Sequence, residues 1–381
     1  MKNPGFSTMC AHLGDDPARF HGAPTPPIYQ NSLFTQPDTE SFFRRTELRP
    51  EIYDYTRVAN PTTDVLETKL AALERTEACR AFGSGMAAVS AAILDAVRTG
   101  DHIVAVETSY GPTRQFLKAY LPQLGIETTF VQGADPSEFL EATRPNTRLY
   151  YLESPSSLVF HLQDLPAVCE LARDRGIVTA IDNSWATPYF QNPTEFGVDL
   201  VIHSATKYLC GHSDVVAGVV MGNRERMQKL TVQEGFLLGG ILDPFAAWLL
   251  LRGVRTLGVR MDRHQQSAGK VADFLEAHPR VARVYWPGLA SHPQYELGRR
   301  LMRGNSGLLS VALKDGGREA ACRVIDRLHY FGIGVSWGGF ESLAIPMSFA
   351  EPEGRLWGAR ISVGLEDVDD LLADLEQALD S

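Results

Sequence analysis

From about residue 60 the chain alternates short apolar runs with amphipathic stretches. The runs His102–Val106, Arg148–Leu152, Val178–Ile181, Leu200–Ile202 and Val215–Val220 are apolar on both faces. That pattern predicts strands of a parallel sheet covered by helices on both sides. Between them, Val65–Leu73 and Pro166–Ala172 space their apolar residues as helices do. Strand and helix signals in alternation predict a large, mostly parallel α/β domain over 60–245. After 245 the pattern changes. A long helical stretch between Trp248 and His278 leads into apolar runs at Val281–Tyr285, Gly307–Leu313 and Arg360–Val363, and a helix at Val368–Leu379 follows. This predicts a smaller C-terminal α/β domain over 246–381. Residues 1–59 read as an irregular arm, with Pro24, Pro26 and Pro27 precluding a helix there. Such an arm lies over a neighbouring surface or is mobile.

Composition narrows the function. The 381 residues are 44% hydrophobic and 22% charged, as in a soluble protein with a sizeable core. A net charge of −10, with no arginine-rich run, argues against nucleic acid and anionic membranes as partners. The richest apolar stretch, Phe245–Leu251, stops at Arg252 and is far short of a span. Met1–Phe6 lacks the apolar core of a secretion signal. Cys10, Cys79, Cys169, Cys210 and Cys322 are scattered and odd in number, with no CxxC pair. They read as reduced thiols of a cytoplasmic protein, and neither a disulfide framework nor a metal site is expected.

Lysine carries the first chemical signal. Only Lys2, Lys69, Lys118, Lys207, Lys229, Lys270 and Lys314 are present, and six of them stand in helical or terminal contexts that predict solvated faces. Lys207 instead follows the apolar run from Leu200 and precedes Tyr208–Asp214. Ligands of open α/β sheets bind at strand ends, where a lysine can shed its charge and act as a nucleophile. Asp182 ends the preceding run; it either caps the following turn or lies under a pyridine nitrogen, keeping it protonated. Gly83-Ser84-Gly85, after a short strand, opens a helix whose amides could face an anion, although a plain helix start reads the same way. Tyr110 follows the run ending at Val106 and could lie against a flat cofactor or in the core. Together the four elements specify a pyridoxal 5'-phosphate (PLP) site.

On those residues the chain resembles the cysteine/methionine-metabolism PLP enzymes, the trans-sulfuration family, and within it the bacterial cystathionine β-lyase branch. The resembling segments are Pro26–Gln30, Tyr55–Thr62, Glu153–Pro155, Asp182–Pro188, Ser204–Asp214, Leu251–Leu257, Ser336–Ser342 and Gly364–Asp370. The resemblance implies fold type I, the aspartate aminotransferase-like PLP-dependent transferase fold. It also implies roles. Lys207 would form a Schiff base with PLP and shuttle protons, Asp182 would pair with the ring nitrogen, and Tyr110 would stack on the ring. Gly85 and Met86 amides with the Ser204 and Thr206 hydroxyls would hold the phosphate, joined by Tyr55 and Arg57 of a neighbouring subunit. Arg360 would grip the substrate carboxylate beside Ser336 and Trp337, with Tyr55 also near the substrate. A homo-oligomer with shared sites, a dimer of dimers, is implied.

Two departures bear on the reaction. Many relatives read Glu-Ser-Pro-Ser-Asn-Pro where this chain has Glu153–Ser157 and then Leu158, so Ser157 replaces an asparagine that would touch the cofactor or substrate. The γ-acting members resemble Glu-Ser-Leu-Gly-Gly where this chain reads Val335-Ser336-Trp337-Gly338-Gly339. Both favour a PLP-dependent C–S β-lyase that cleaves L-cystathionine or a related cysteine thioether to pyruvate, ammonia and a thiol. The rivals are a γ-acting relative and a non-catalytic binding protein on the same fold. A dinucleotide-binding protein is disfavoured because no GxGxxG follows an early strand.

Overall fold

The computed structural model describes residues 4–45, 47, 52–351 and 354–380. Lys2 and the secretion-signal reading of residues 1–3 lie outside the described residues, as do 46 and 48–51 of the arm. Seven strands form the larger sheet: β1 (Ala78–Phe82), β2 (His102–Val106), β3 (Glu127–Val131), β4 (Thr147–Glu153), β5 (Val178–Asp182), β6 (Leu200–His203) and β7 (Gly218–Gly222). Their order is β1-β7-β6-β5-β4-β2-β3. The run from β3 to β6 is parallel, and β7 is antiparallel to both of its neighbours. The central strands are buried on both faces, as their apolar sequences require.

The smaller sheet, order β10-β11-β9-β8, is wholly antiparallel: β8 (Val281–Tyr285), β9 (Leu308–Leu313), β10 (Leu343–Glu351) and β11 (Gly354–Ser362). The indole N–H of Trp185, just beyond β5, donates to the Leu308 carbonyl at 3.1 Å and ties β9 to the larger sheet. No helix among the described residues is long and apolar enough to cross a membrane.

Several elements differ from the pattern reading. The arm is not wholly irregular, since Phe6–His12 and Thr39–Arg44 are helices. The first buries Cys10 completely against the body of the chain. Lys69 explains that docking and corrects its reading as a solvated lysine. Its amine is fully buried, donating to the Cys10 carbonyl at 2.8 Å and pairing with Asp15 at 3.2 Å. Burial of that cation is tolerable because it is paired and hydrogen-bonded.

The long helical stretch breaks at Thr256 into Pro244–Arg255 and Leu257–Ala277. The run Val215–Val220 becomes a strand only from Gly218, because Ala217 bonds both ways to Thr206 instead. β3 and β10 carry weak apolar signals for the same reason: each is an edge strand, and β10 accommodates Pro346 there.

Candidate active site

The parallel strands β4, β5 and β6 end side by side at one edge of a cleft of about 270 Å³. Glu153 and Asp182, the last residues of β4 and β5, are register partners, so two carboxylates enter one mouth. Lys207 lies in the turn after β6, its backbone N–H bonded to the Ser204 carbonyl. The smaller sheet closes the cleft with Arg360 from β11 and Trp337 from the segment before β10.

Each functional group is held. Lys207 Nζ donates to Ser336 Oγ at 2.9 Å and sits 5.5 Å from the centre of the Trp337 ring. Trp337 in turn packs edge-on against Tyr208 at 5.4 Å. Burial and the neighbouring Arg360 charge lower the Lys207 amine to about 8, which enlarges its neutral fraction near neutral pH.

Asp182 accepts hydrogen bonds from the Ser184 amide at 3.0 Å and the Ser184 hydroxyl at 2.5 Å. Burial raises its carboxyl, opposed by Ser184, His203 and Lys207. Glu153 accepts from the Tyr110 amide and from Ser157 Oγ, each at 2.7 Å, and burial with the Asp182 charge pushes it up to about 8. Arg360 spends both Nη2 hydrogens on the Val335 and Ser336 carbonyls, at 3.0 and 3.2 Å. Its Nε and Nη1 donors remain for an anion.

An anion cradle lies on the other side of the cleft. Ser84 caps the helix Gly85–Ala96 by accepting from the Ala87 amide at 3.0 Å, and the ladder starts with Ala88 bonded to the Ser84 carbonyl. The Gly85 and Met86 amides are thus first-turn donors without intrahelical partners. A Cβ at Gly85 would come within 2.8 Å of Ser204 Oγ, so only glycine lets the helix start approach that hydroxyl.

Most residues expected from the sequence meet here: Gly85, Met86, Tyr110, Asp182, Ser204, Thr206, Lys207, Trp337 and Arg360 line the cleft, with Ser336 reaching it through Lys207. Two details differ, Thr206 and Val335, whereas Tyr55 and Arg57 are expected to serve a neighbouring subunit. The Thr206 hydroxyl already donates to the Ala217 carbonyl at 3.1 Å and accepts from the Ala217 amide at 2.9 Å. Val335, which stands where γ-acting members carry a glutamate and is read as bearing on the reaction, is 86% exposed and does not line the cleft. Tyr55 and Arg57 also lie outside this chain's cleft, with the Arg57 guanidinium 5.0 Å from the Tyr55 ring and 4.8 Å from Phe236. Glu153 was seen in a motif but given no role. Its only sequence signal is that, like Asp182, it ends an apolar strand.

The model for the Cys/Met metabolism PLP-dependent enzymes matches residues 7–380. The L-methionine gamma-lyase of Treponema denticola is 42% identical over 99% of this chain and 97% of its own. A putative cystathionine beta-lyase of Rhizobium johnstonii is 38% identical, covering 99% and 96% of the two chains. Among solved structures, that of metB from Corynebacterium glutamicum superposes with a TM-score of 0.91 at 37% identity, over 99% of this chain and 98% of that one. With a family match across nearly the whole chain, and a cleft that brings an amine, two carboxylates and an anion cradle together, this chain belongs to the Cys/Met metabolism family of PLP-dependent enzymes, as a carbon–sulfur lyase.

Proposed function

We propose that the protein cleaves the Cβ–S bond of L-cystathionine or a related cysteine thioether. The donor set fits PLP: the Gly85 and Met86 amides and the Ser204 hydroxyl suit its phosphate, Asp182 its ring nitrogen, Tyr110 its face and Lys207 its aldehyde. When bound, PLP withdraws electrons from the α-carbon of the amino acid joined to it. Arg360 holds the substrate carboxylate with its free Nε and Nη1 donors. Lys207, as a free amine, would take the α-proton. The thiolate then leaves from Cβ, and water replaces the nitrogen to give pyruvate and ammonia. With cystathionine the thiol is homocysteine.

The observation that carries β-elimination is Trp337, whose indole lines the cleft with its ring centre 5.5 Å from Lys207 Nζ and narrows the space beside the substrate carboxylate. β-Elimination needs a single deprotonation, at Cα; γ-elimination needs a second, at Cβ, with the γ-carbon seated in the same cleft. A γ-acting reading has its own support. The Treponema denticola relative is an L-methionine gamma-lyase, and the cleft wall of Leu158, Val216, Leu308 and Trp337 suits a small apolar thioether.

Tyr55 and Arg57, which sit together outside this cleft, are proposed to complete the phosphate site of a neighbouring subunit in a closed homo-oligomer, a dimer of dimers. Product analysis separates the two chemistries. The PLP-loaded enzyme given L-cystathionine is expected to release pyruvate and homocysteine. 2-Oxobutyrate as the dominant keto acid, from cystathionine or from L-methionine, would refute the β-lyase assignment and leave the γ-acting one.

A further inference from the structure

Behind the strand ends, on the face away from the cleft, lies a buried polar cluster that the chemistry above does not use. His203, the last residue of β6, and Glu74, the last residue of the helix Pro61–Glu74, are both fully buried. His203 Nε2 lies 2.7 Å from Glu74 Oε2. The other Glu74 oxygen accepts from Asn183 Nδ2 at 3.3 Å. Among the described residues nothing is bonded to His203 Nδ1, so Glu74 is the ring's one polar partner there.

The cluster is coupled to the cleft by the sheet itself. Asp182 and Ile202 are register partners, so Asn183 and His203 follow one residue later on the opposite face. The next residue, Ser204, donates its amide to Ser184 Oγ at 2.6 Å, and Ser184 Oγ donates to Asp182.

We propose that Glu74 holds His203 as an imidazolium behind Asp182, and that this buried cation keeps the Asp182 carboxylate ionised and hence the cofactor's ring nitrogen protonated. His203 and Glu74 are thus positioning residues. The inference rests on the reading of Asp182 as the ring-nitrogen partner. The charged groups around Asp182 define the need for such a cation. Burial disfavours the Asp182 charge, and Glu153 on β4 is a second carboxylate at the same mouth. The Ser184 hydrogen bonds, His203 and Lys207 oppose that penalty. Lys207 would hold the cofactor from within the cleft, so His203 is the cation that acts on Asp182 from the other face of the sheet. Glu74 comes from the end of the helix Pro61–Glu74, and of the pair it is His203 whose charge acts on the Asp182 carboxyl.

The test uses holoenzyme loaded with PLP carrying nitrogen-15 in its ring, read by NMR across pH. In the wild type the ring nitrogen is expected to be protonated at neutral pH. His203→Gln and Glu74→Gln should each weaken its protonation about ten-fold, a downward shift of about one pKa unit. The double variant should be no worse than His203→Gln alone, and Glu74→Asp, which keeps the charge, should recover the wild-type titration. Wild-type titration in both Gln variants would overturn the proposal. Asp182→Asn is the control: if it leaves the ring nitrogen unchanged, the reading of Asp182 itself fails. Should the Gln variants not fold, histidine-labelled wild-type holoenzyme decides. A doubly protonated His203 at neutral pH supports the proposal, and a neutral one contradicts it.

Discussion

Lys207→Ala is expected to retain the fold and bind PLP while losing turnover by at least about 10²–10⁴-fold, the usual contribution of a positioned general base. Retention of the fold follows from how little the side chain holds together. Lys207 Nζ makes one hydrogen bond, to Ser336, and burial already penalises its charged form. The apoprotein should therefore melt within a few degrees of the wild type. PLP binding persists because the helix-start amides and Asp182 are untouched. Turnover fails because no other amine among the described residues lines the cleft. Near-wild-type turnover measured in this variant would remove Lys207 as the base.

Mixing two inactive variants should restore activity. If Arg57 serves a neighbour's phosphate, Arg57→Ala and Lys207→Ala place their defects in different pockets of a hybrid dimer. One pocket then carries both defects and the other carries neither. With random reassortment half of the dimers are hybrids, so recovery should approach about a quarter of wild-type activity. The geometry motivating this is the exclusion of Tyr55 and Arg57 from their own chain's cleft, together with the exposed Leu237 and Leu238 that follow Phe236, the ring Arg57 lies over. Subunit exchange demonstrated by mass spectrometry, without recovery of activity, would contradict a shared site.

Much of the cleft was legible in the sequence because its residues sit at the ends of strongly apolar strands or at the start of a helix. Asp182 ends β5, Lys207 follows β6 and the glycines follow β1, positions that periodicity marks without any contact information. The failures have a common cause. Lys69 reads as a solvated helical lysine because its partners, Cys10 and Asp15, are more than fifty residues away in sequence. Glu74 and His203 were missed for the same reason, since a helix end and a strand end meet only in the tertiary structure. Thr206 carries a hydroxyl of the expected type, yet its proton is committed to Ala217, a pairing set by the turn between β6 and β7. Val335 illustrates the limit of motif reasoning: it is adjacent to Ser336 in sequence but is exposed and does not line the cleft. Edge strands such as β3 and β10 lack the continuous apolar signal because solvent reaches them.

Borohydride reduction followed by peptide mapping tests the central claim most directly, because it reports where the cofactor is attached. The purified protein should be yellow, or become so with added PLP. Reduction should abolish the visible band and leave a phosphopyridoxyl group on the peptide containing Lys207. A protein that stays colourless with PLP, or one labelled at another lysine such as Lys118, would contradict the account.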